Sequence, residues 1–148
     1  MKTIIAVLII ISFIQSAILP LDLVLIILIC RSYTRTDKAN LYLAFGFGLF
    51  NGHLNLTTMG LQSLLYLILV SVTESLSKSR LAGNSLLIIP LSLILVSLNQ
   101  AVLSMAVGQT VALFPKNLLE AILSLPILYL VRIWEERFVV RAGIKLRI

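Results

Sequence analysis

One short stretch of the sequence, residues 46–64, holds most of the side chains that could do chemistry. It contains the only histidine, His53, with the amides of Asn51, Asn55 and Gln62 around it. Histidine can act as a base or as a metal ligand, but zinc needs three or four ligands, and a Ser-His-Asp triad needs an acid that orients the histidine. Neither a cysteine nor a carboxylate stands close to His53 in the sequence. We therefore interpret it as a polar residue at a membrane interface.

The acidic residues provide no second candidate for catalysis. We expect all six at the ends of apolar segments rather than in their middle: Asp22, Asp37, Glu74, Glu120, Glu135 and Glu136. The chain contains no HExxH, no GxSxG and no phosphate-binding loop. Its single cysteine, Cys30, excludes an internal disulfide and a cysteine-based metal cluster. These observations predict a protein that is not an enzyme and that uses no cofactor and no metal.

The composition indicates the solvent around these residues. Of the 148 residues, 59% are hydrophobic and 12% are charged, and the mean hydropathy is +1.08. Soluble domains are about 45–50% apolar and about 25% charged, and the apolar runs lack the alternation of a membrane β-barrel. The sequence therefore predicts an all-α integral membrane protein, a single domain over residues 1–148. Its length allows roughly five or six helical spans of about 20 residues.

The polar breaks divide the chain into six apolar runs: 3–19, 20–31, 39–54, 58–76, 85–114 and 117–138, the last two separated by the sequence FPKN. The second run is short, so it is either a short helix shielded by its neighbours or the lower half of one long helix kinked at Pro20, which leaves five spans. Asp22 favours six, because a carboxylate is costly in mid-span but stays wet at an outer turn. The first run resembles a signal peptide with a poor cleavage site, so we expect it to be a retained helix.

The basic residues indicate how the spans are oriented. With six spans and the N-terminus inside, every lysine and arginine except Lys116 lies on the cytoplasmic side, as the positive-inside rule requires. Trp134 falls at the inner boundary, and a short basic tail follows at about 135–148. Charges at the ends of apolar runs set topology, so we expect no nucleic-acid binding. The prediction is a multi-pass protein of the bacterial cytoplasmic membrane, with both termini in the cytoplasm.

Small residues on the third run predict a close helix-helix contact. Ala44, Gly48 and Gly52 recur every four residues and share one helix face, a spacing that lets two backbones approach closely in lipid. Together with Asn51 and Gly60 they form the predicted packing interface, either within the chain or with a partner protein.

The fifth run carries a polar face within an apolar helix. Ser97, Gln100 and Ser104 are spaced three and four residues apart, and Asn99 is adjacent. Such residues usually turn toward other helices and form hydrogen bonds there, but they could instead line a ligand pocket. No ionisable residue stands among them, so we do not expect a proton relay or an ion-coupling site.

Two longer segments resemble a known family. LPLDLVLIIL at 19–28 contains a proline-acid turn, and AFGFGLFNGHLNLTTMGLQSLLYLIL covers 44–69. With the apolar helices and basic tail that follow, they resemble MreD, the integral membrane family of the bacterial rod-shape machinery. Its pattern Phe-x-x-Gly-Leu-x-x-Asp, followed by Leu-Gly and an aromatic-bearing helix, has six counterparts here: Phe45, Gly48, Leu49, Gly60, Leu61 and Tyr66. Asn51 stands where the family usually has aspartate.

The resemblance implies a compact six-helix bundle similar to the substrate-binding subunits of energy-coupling-factor transporters. It also implies a non-enzymatic scaffold that works with MreC, the actin-like MreB, and RodA with its class B transpeptidase to organise lateral peptidoglycan synthesis. The alternative hypothesis is a small-solute or vitamin-binding subunit of a transporter. In that case Asn51, Gln62, Asn99 and Gln100 would converge on a ligand.

Overall fold

The computed structural model describes residues 2–18, 21–56, 60–78, 84–108 and 113–138. Six α-helices occupy these ranges: α1 Lys2–Ala17, α2 Leu23–Thr34, α3 Lys38–Leu54, α4 Leu61–Lys78, α5 Ile88–Val107 and α6 Leu113–Phe138. A short 3-10 turn, Ser85–Leu87, leads into α5. Among the described residues there is no strand, and the predicted all-α class is confirmed.

The first two apolar runs form two separate helices. The last turn of α1 closes with a 2.9 Å hydrogen bond from Ile18 N–H to Ile14 C=O. The α2 ladder then begins with Ile26 N–H donating to Asp22 C=O at 3.2 Å. Pro20, the predicted site of a kink, lies outside the described residues, but the helices on either side of it are distinct.

Helix α2 is the centre of the bundle. Its residues 24–33 are all buried, and it contacts each of the other five helices. At about 1.5 Å per residue a twelve-residue helix is about 18 Å long, which is too short to cross a hydrocarbon core of about 30 Å while facing lipid. The surrounding helices cover it on every side, so the short second run is the shielded helix.

Helices α3 and α4 approach each other closely at Gly48. A Cβ placed there would clash with Ser63 Cα and would lie 3.1 Å from the carbonyl oxygen of Gln62. Ala44 and Gly52 are buried on the same face of α3. The close approach that the glycine spacing predicts therefore occurs within the chain.

Gly60 has a different role from the predicted one. A Cβ at this position would meet no atom within 4 Å, so Gly60 is not part of the close contact. Its φ of +94° lies in the left-handed region that glycine adopts without steric cost. The residue shapes the backbone immediately before α4.

The turn between α5 and α6 lies earlier than expected. Helix α5 ends at Gly108, whose φ is +68° and whose N–H donates to Ser104 C=O at 2.8 Å. Pro115, predicted to be in a separator, lies in the first turn of α6. A proline is tolerated there because first-turn N–H groups have no partner within the helix. Of the predicted basic tail 135–148, the first four residues complete α6 and the rest lie outside the described residues.

Within the part of the chain that the structure describes, two helical segments are long and apolar enough to cross a membrane, Ser85–Ala106 and Pro115–Arg137. The segments Thr3–Ala17 and Leu23–Thr34 are apolar but shorter. Length and hydropathy thus give weak support to a membrane location, and the six-span bundle stays a prediction.

Candidate functional site

Polar side chains from five helices and one turn meet inside the bundle, at the end where α2 begins. We call this group the Asp22 cluster, and its members are buried or bonded to buried members: Gln15, Asp22, Asn51, Gln62, Tyr66, Asn99 and Glu120. Because buried polar groups are costly unless they are hydrogen-bonded, the bonds within the cluster decide what it can do.

The carboxylate of Asp22 is the hub of the cluster. Its Oδ1 accepts hydrogen bonds from Gln15 Nε2 at 3.1 Å and from the Tyr66 hydroxyl, and its Oδ2 accepts one from Asn99 Nδ2 at 3.1 Å. The donors belong to α1, α4 and α5, so one side chain ties three helices together. Asp22 lies in the turn between α1 and α2, and burial raises the pKa of its carboxyl, while the hydrogen bonds from Tyr66 and Gln15 oppose that rise.

The hydroxyl of Tyr66 extends the cluster to α3. It accepts hydrogen bonds from Asn51 Nδ2 at 3.0 Å and from Gln62 Nε2 at 3.4 Å while it donates to Asp22. Tyr66 is fully buried. Asn51, which the sequence places in a packing interface, therefore reaches the carboxylate through the phenol oxygen.

The first turn of α2 is capped by side chains of other helices. The Asp22 N–H donates to Glu120 Oε1 at 2.9 Å, and the Val24 N–H donates to Gln15 Oε1 at 3.1 Å. Helix N-termini leave such N–H groups without a partner inside the helix and favour a nearby negative charge. The Lys116 ammonium lies 3.9 Å from the same Glu120 oxygen and compensates part of its charge.

The unsatisfied atoms at this end of the bundle are all oxygens. Four buried carbonyl or carboxylate oxygens accept no hydrogen bond within the described chain: Asn99 Oδ1, Gln100 Oε1, Asn117 Oδ1 and Glu120 Oε2. The hydroxyl oxygen of Ser12 is also buried and unbonded. Amide and carboxylate oxygens are acceptors, so these four unsatisfied groups could each accept a hydrogen bond.

The expectation for Asp22 was wrong in one respect. We expected its carboxylate to stay in water at an outer turn, but Asp22 is only 9% exposed. The polar face of α5 contains no ionisable residue of its own, and on that basis we expected no proton relay and no ion-coupling site. The structure nevertheless brings two carboxylates to this place. Asp22 reaches Asn99 from the turn between α1 and α2, and Glu120 reaches Asp22 from α6. Neither neighbour can be recognised in the sequence of α5.

The predicted polar face of α5 divides into separate contacts. Asn99 bonds to Asp22, and Ser97 Oγ accepts from Asn117 Nδ2 of α6 at 3.1 Å. Gln100 is buried. Ser104 instead donates to Ala101 C=O of its own helix at 2.8 Å.

His53 takes no part in the cluster. It is exposed near the end of α3, as its interpretation as an interfacial residue requires. Within the described ranges, no three histidine, cysteine or acidic side chains are arranged to hold a metal ion.

The opposite end of α2 carries a buried ion pair. Arg31, 3% exposed, donates through Nε to Glu135 Oε1 of α6 at 3.3 Å. It also donates to Asn40 Oδ1, and Asn40 Nδ2 in turn donates to Glu74 Oε1 at 2.9 Å. This basic end, as we call it, joins α2, α3, α4 and α6. Its side chains include arginines that the charge rule places on the cytoplasmic side.

Comparison of the chain with protein-family models, with curated proteins and with solved structures found no match. The resemblance to MreD therefore rests on the motif residues alone.

Proposed function

We propose that the chain is a six-helix integral membrane protein and a non-enzymatic scaffold of the bacterial cell-shape machinery, with the role that its resemblance to MreD implies. In this role it organises lateral peptidoglycan synthesis through helix-helix contacts with partner proteins. The bundle lies in the cytoplasmic membrane with its basic end toward the cytoplasm.

The observation that carries the membrane placement is the distribution of apolar side chains. Every helix except α2 exposes large apolar residues, including Ile10, Ile68, Met105 and Ile122. The polar side chains of the Asp22 cluster, by contrast, are bonded to one another in the interior. Extended apolar exteriors are rare on soluble monomers, whereas lipid accepts apolar surface and requires polar groups to be satisfied internally.

The arrangement of the motif residues supports a scaffold. Asp22, Asn51 and Tyr66, which belong to the segments that resemble MreD, form one hydrogen-bonded chain. Their polar atoms are used to hold α2, α3 and α4 in place. Because these three motif residues serve internal packing, the proposed scaffold presents its function on its outer surface. Apolar side chains are available there to partner helices such as those of MreC, RodA and its transpeptidase.

One observation favours the alternative, a solute-binding subunit. The oxygens Asn99 Oδ1, within the Asp22 cluster, and Gln100 Oε1, of the next residue in α5, are buried and accept no hydrogen bond from the described residues. A solute with N–H or O–H donors would satisfy them, and ligand sites commonly combine an apolar wall with a few such polar groups.

One experiment separates the two proposals. The tagged chain is crosslinked in native membranes and purified, and its protein partners and bound small molecules are identified together by mass spectrometry. The scaffold predicts recovery of cell-shape proteins without a stoichiometric solute. The control is the variant Gly48→Leu, in which α3 and α4 cannot pack closely. Any partner that this variant still recovers binds without the native fold. Recovery of a transporter ATPase with a bound solute would overturn the scaffold.

A further inference from the structure

A polar pocket lies at the basic end of the bundle, between the last turns of α2 and α4, the 3-10 turn and α6. Its volume is about 280 Å³, close to the lower limit of about 300 Å³ that is usual for ligand pockets. Hydroxyl groups and two basic side chains, Lys78 and Arg132, make up most of its wall, and none of the described residues that line it is acidic.

Three of the hydroxyls in the wall have already donated their protons to the backbone. The Tyr33 hydroxyl donates to Asn84 C=O at 3.0 Å, Ser77 to Tyr33 C=O at 2.9 Å, and Thr34 to Cys30 C=O at 2.8 Å. These bonds hold the wall in shape, because they connect α4 and the residue before the 3-10 turn to the end of α2.

The remaining polar groups of the wall are donors without an acceptor. Lys78 and Arg132 form no ion pair within the described chain, although Arg31 and Arg35 nearby are both paired to Glu135. The hydroxyls of Thr36 and Ser85 donate no hydrogen bond to any described residue. The pocket therefore presents two positive charges and two free hydroxyl donors to a ligand.

We propose that this pocket binds a phosphate group. A phosphate supplies several acceptor oxygens and negative charge, and arginine binds it through two parallel N–H donors while lysine adds a point charge. If the basic end faces the cytoplasm, as the proposed function requires, the pocket opens where anionic phospholipid headgroups are concentrated. The phosphate then belongs either to such a headgroup or to a phosphorylated solute.

The test measures binding to the purified full-length chain in detergent. The probes are phosphatidylglycerol, a diacylglycerol with the same acyl chains but no phosphate, and inorganic phosphate. We expect phosphatidylglycerol to bind and diacylglycerol not to bind. The double variant Lys78→Gln/Arg132→Gln should weaken phosphatidylglycerol binding about tenfold or more, because two charge-assisted contacts are lost.

The matched control is Lys38→Gln/Arg137→Gln, which removes two exposed positive charges that do not line the pocket. It should retain the affinity of the unmodified chain. Arg132→Lys is a second measurement with a minimal effect on folding, and it should weaken binding because the fork of two donors is lost. If inorganic phosphate competes with phosphatidylglycerol, the pocket accepts a soluble phosphate. If it does not compete, the ligand is a lipid headgroup.

Two results would overturn the proposal. One is equal binding of phosphatidylglycerol and diacylglycerol with no binding of inorganic phosphate. The other is an equal loss of affinity in the two double variants, which would indicate attraction to net charge alone. Both results are independent of the partner proteins, so the scaffold proposal and the phosphate site can fail separately.

Discussion

At the scale of single residues, the interior of this protein depends on one phenol oxygen. The Tyr66 hydroxyl bonds to Asp22, Asn51 and Gln62 at the same time. Removal of the oxygen leaves two amides and a carboxylate, each with one hydrogen bond fewer, while all three groups stay buried. Such a group is costly because desolvation is no longer compensated.

Tyr66→Phe should therefore lower the free energy of unfolding by about 1–3 kcal/mol, the usual cost of leaving a buried polar partner unsatisfied. Thermal or denaturant unfolding in detergent measures the change. Tyr42→Phe is the control, because it removes the same hydroxyl group from a side chain that is 78% exposed. Equal stability of the two variants would show that the hydroxyl of Tyr66 is not a structural hub.

At the scale of the helices, packing within the bundle depends on a residue without a side chain. Gly48 allows α3 to lie against the backbone of Ser63 in α4. In a lipid environment helices gain little from hydrophobic burial against each other, so close van der Waals contact between small residues supplies much of the association. The same approach brings Asn51, less than one turn further along α3, within 3.0 Å of Tyr66.

Gly48→Ala should separate α3 from α4 and destabilise the fold by about 1–3 kcal/mol, as overpacking of a dense core does. Gly46→Ala is the matched control, because a Cβ at Gly46 meets no atom within 4 Å, and it should be neutral or slightly stabilising. Unfolding midpoints of the two variants give the comparison. A neutral Gly48→Ala would mean that the helices can move apart without loss.

At the scale of the whole molecule, the two ends of the bundle differ in chemistry. One end has the Asp22 cluster with Lys116, and the other has Arg31, Arg35 and the pocket arginine Arg132. Grouping of the basic side chains at one end is the pattern that orients a protein in a membrane. This grouping predicts which residues are accessible from each side of the membrane.

Cysteine labelling with a membrane-impermeant maleimide should reveal this orientation. Leu56, 92% exposed beyond the end of α3, should react in intact cells as Leu56→Cys, whereas Glu136→Cys at the basic end should react only after permeabilisation. Cys30 is fully buried, so the unmodified chain serves as a silent control. The reverse labelling pattern would show that the orientation is inverted, and labelling of both sites in intact cells would argue against a membrane-embedded bundle.

Local features of the sequence were sufficient to predict the helices. Long apolar runs interrupted by polar segments indicated all six, because helix formation and termination depend on neighbouring residues. The boundary between α5 and α6 was the exception, since α5 ends at Val107 and the predicted run extends to residue 114. The spacing of Ala44, Gly48 and Gly52 also indicated a close contact. It could not name α4 as the partner, since the same face could have packed on another helix or on another protein.

The sequence by itself therefore determined the apolar composition, the helices and the separation of charge along the chain. Only the tertiary structure decided that Asp22 is buried and that Tyr66, Asn99 and Glu120 surround it. These partners lie 44, 77 and 98 residues away from Asp22 in the chain. Contacts at such distances depend on which helices pack side by side, and short connections permit several arrangements of six helices. The same holds for the pocket, whose two unpaired basic residues come from α4 and α6.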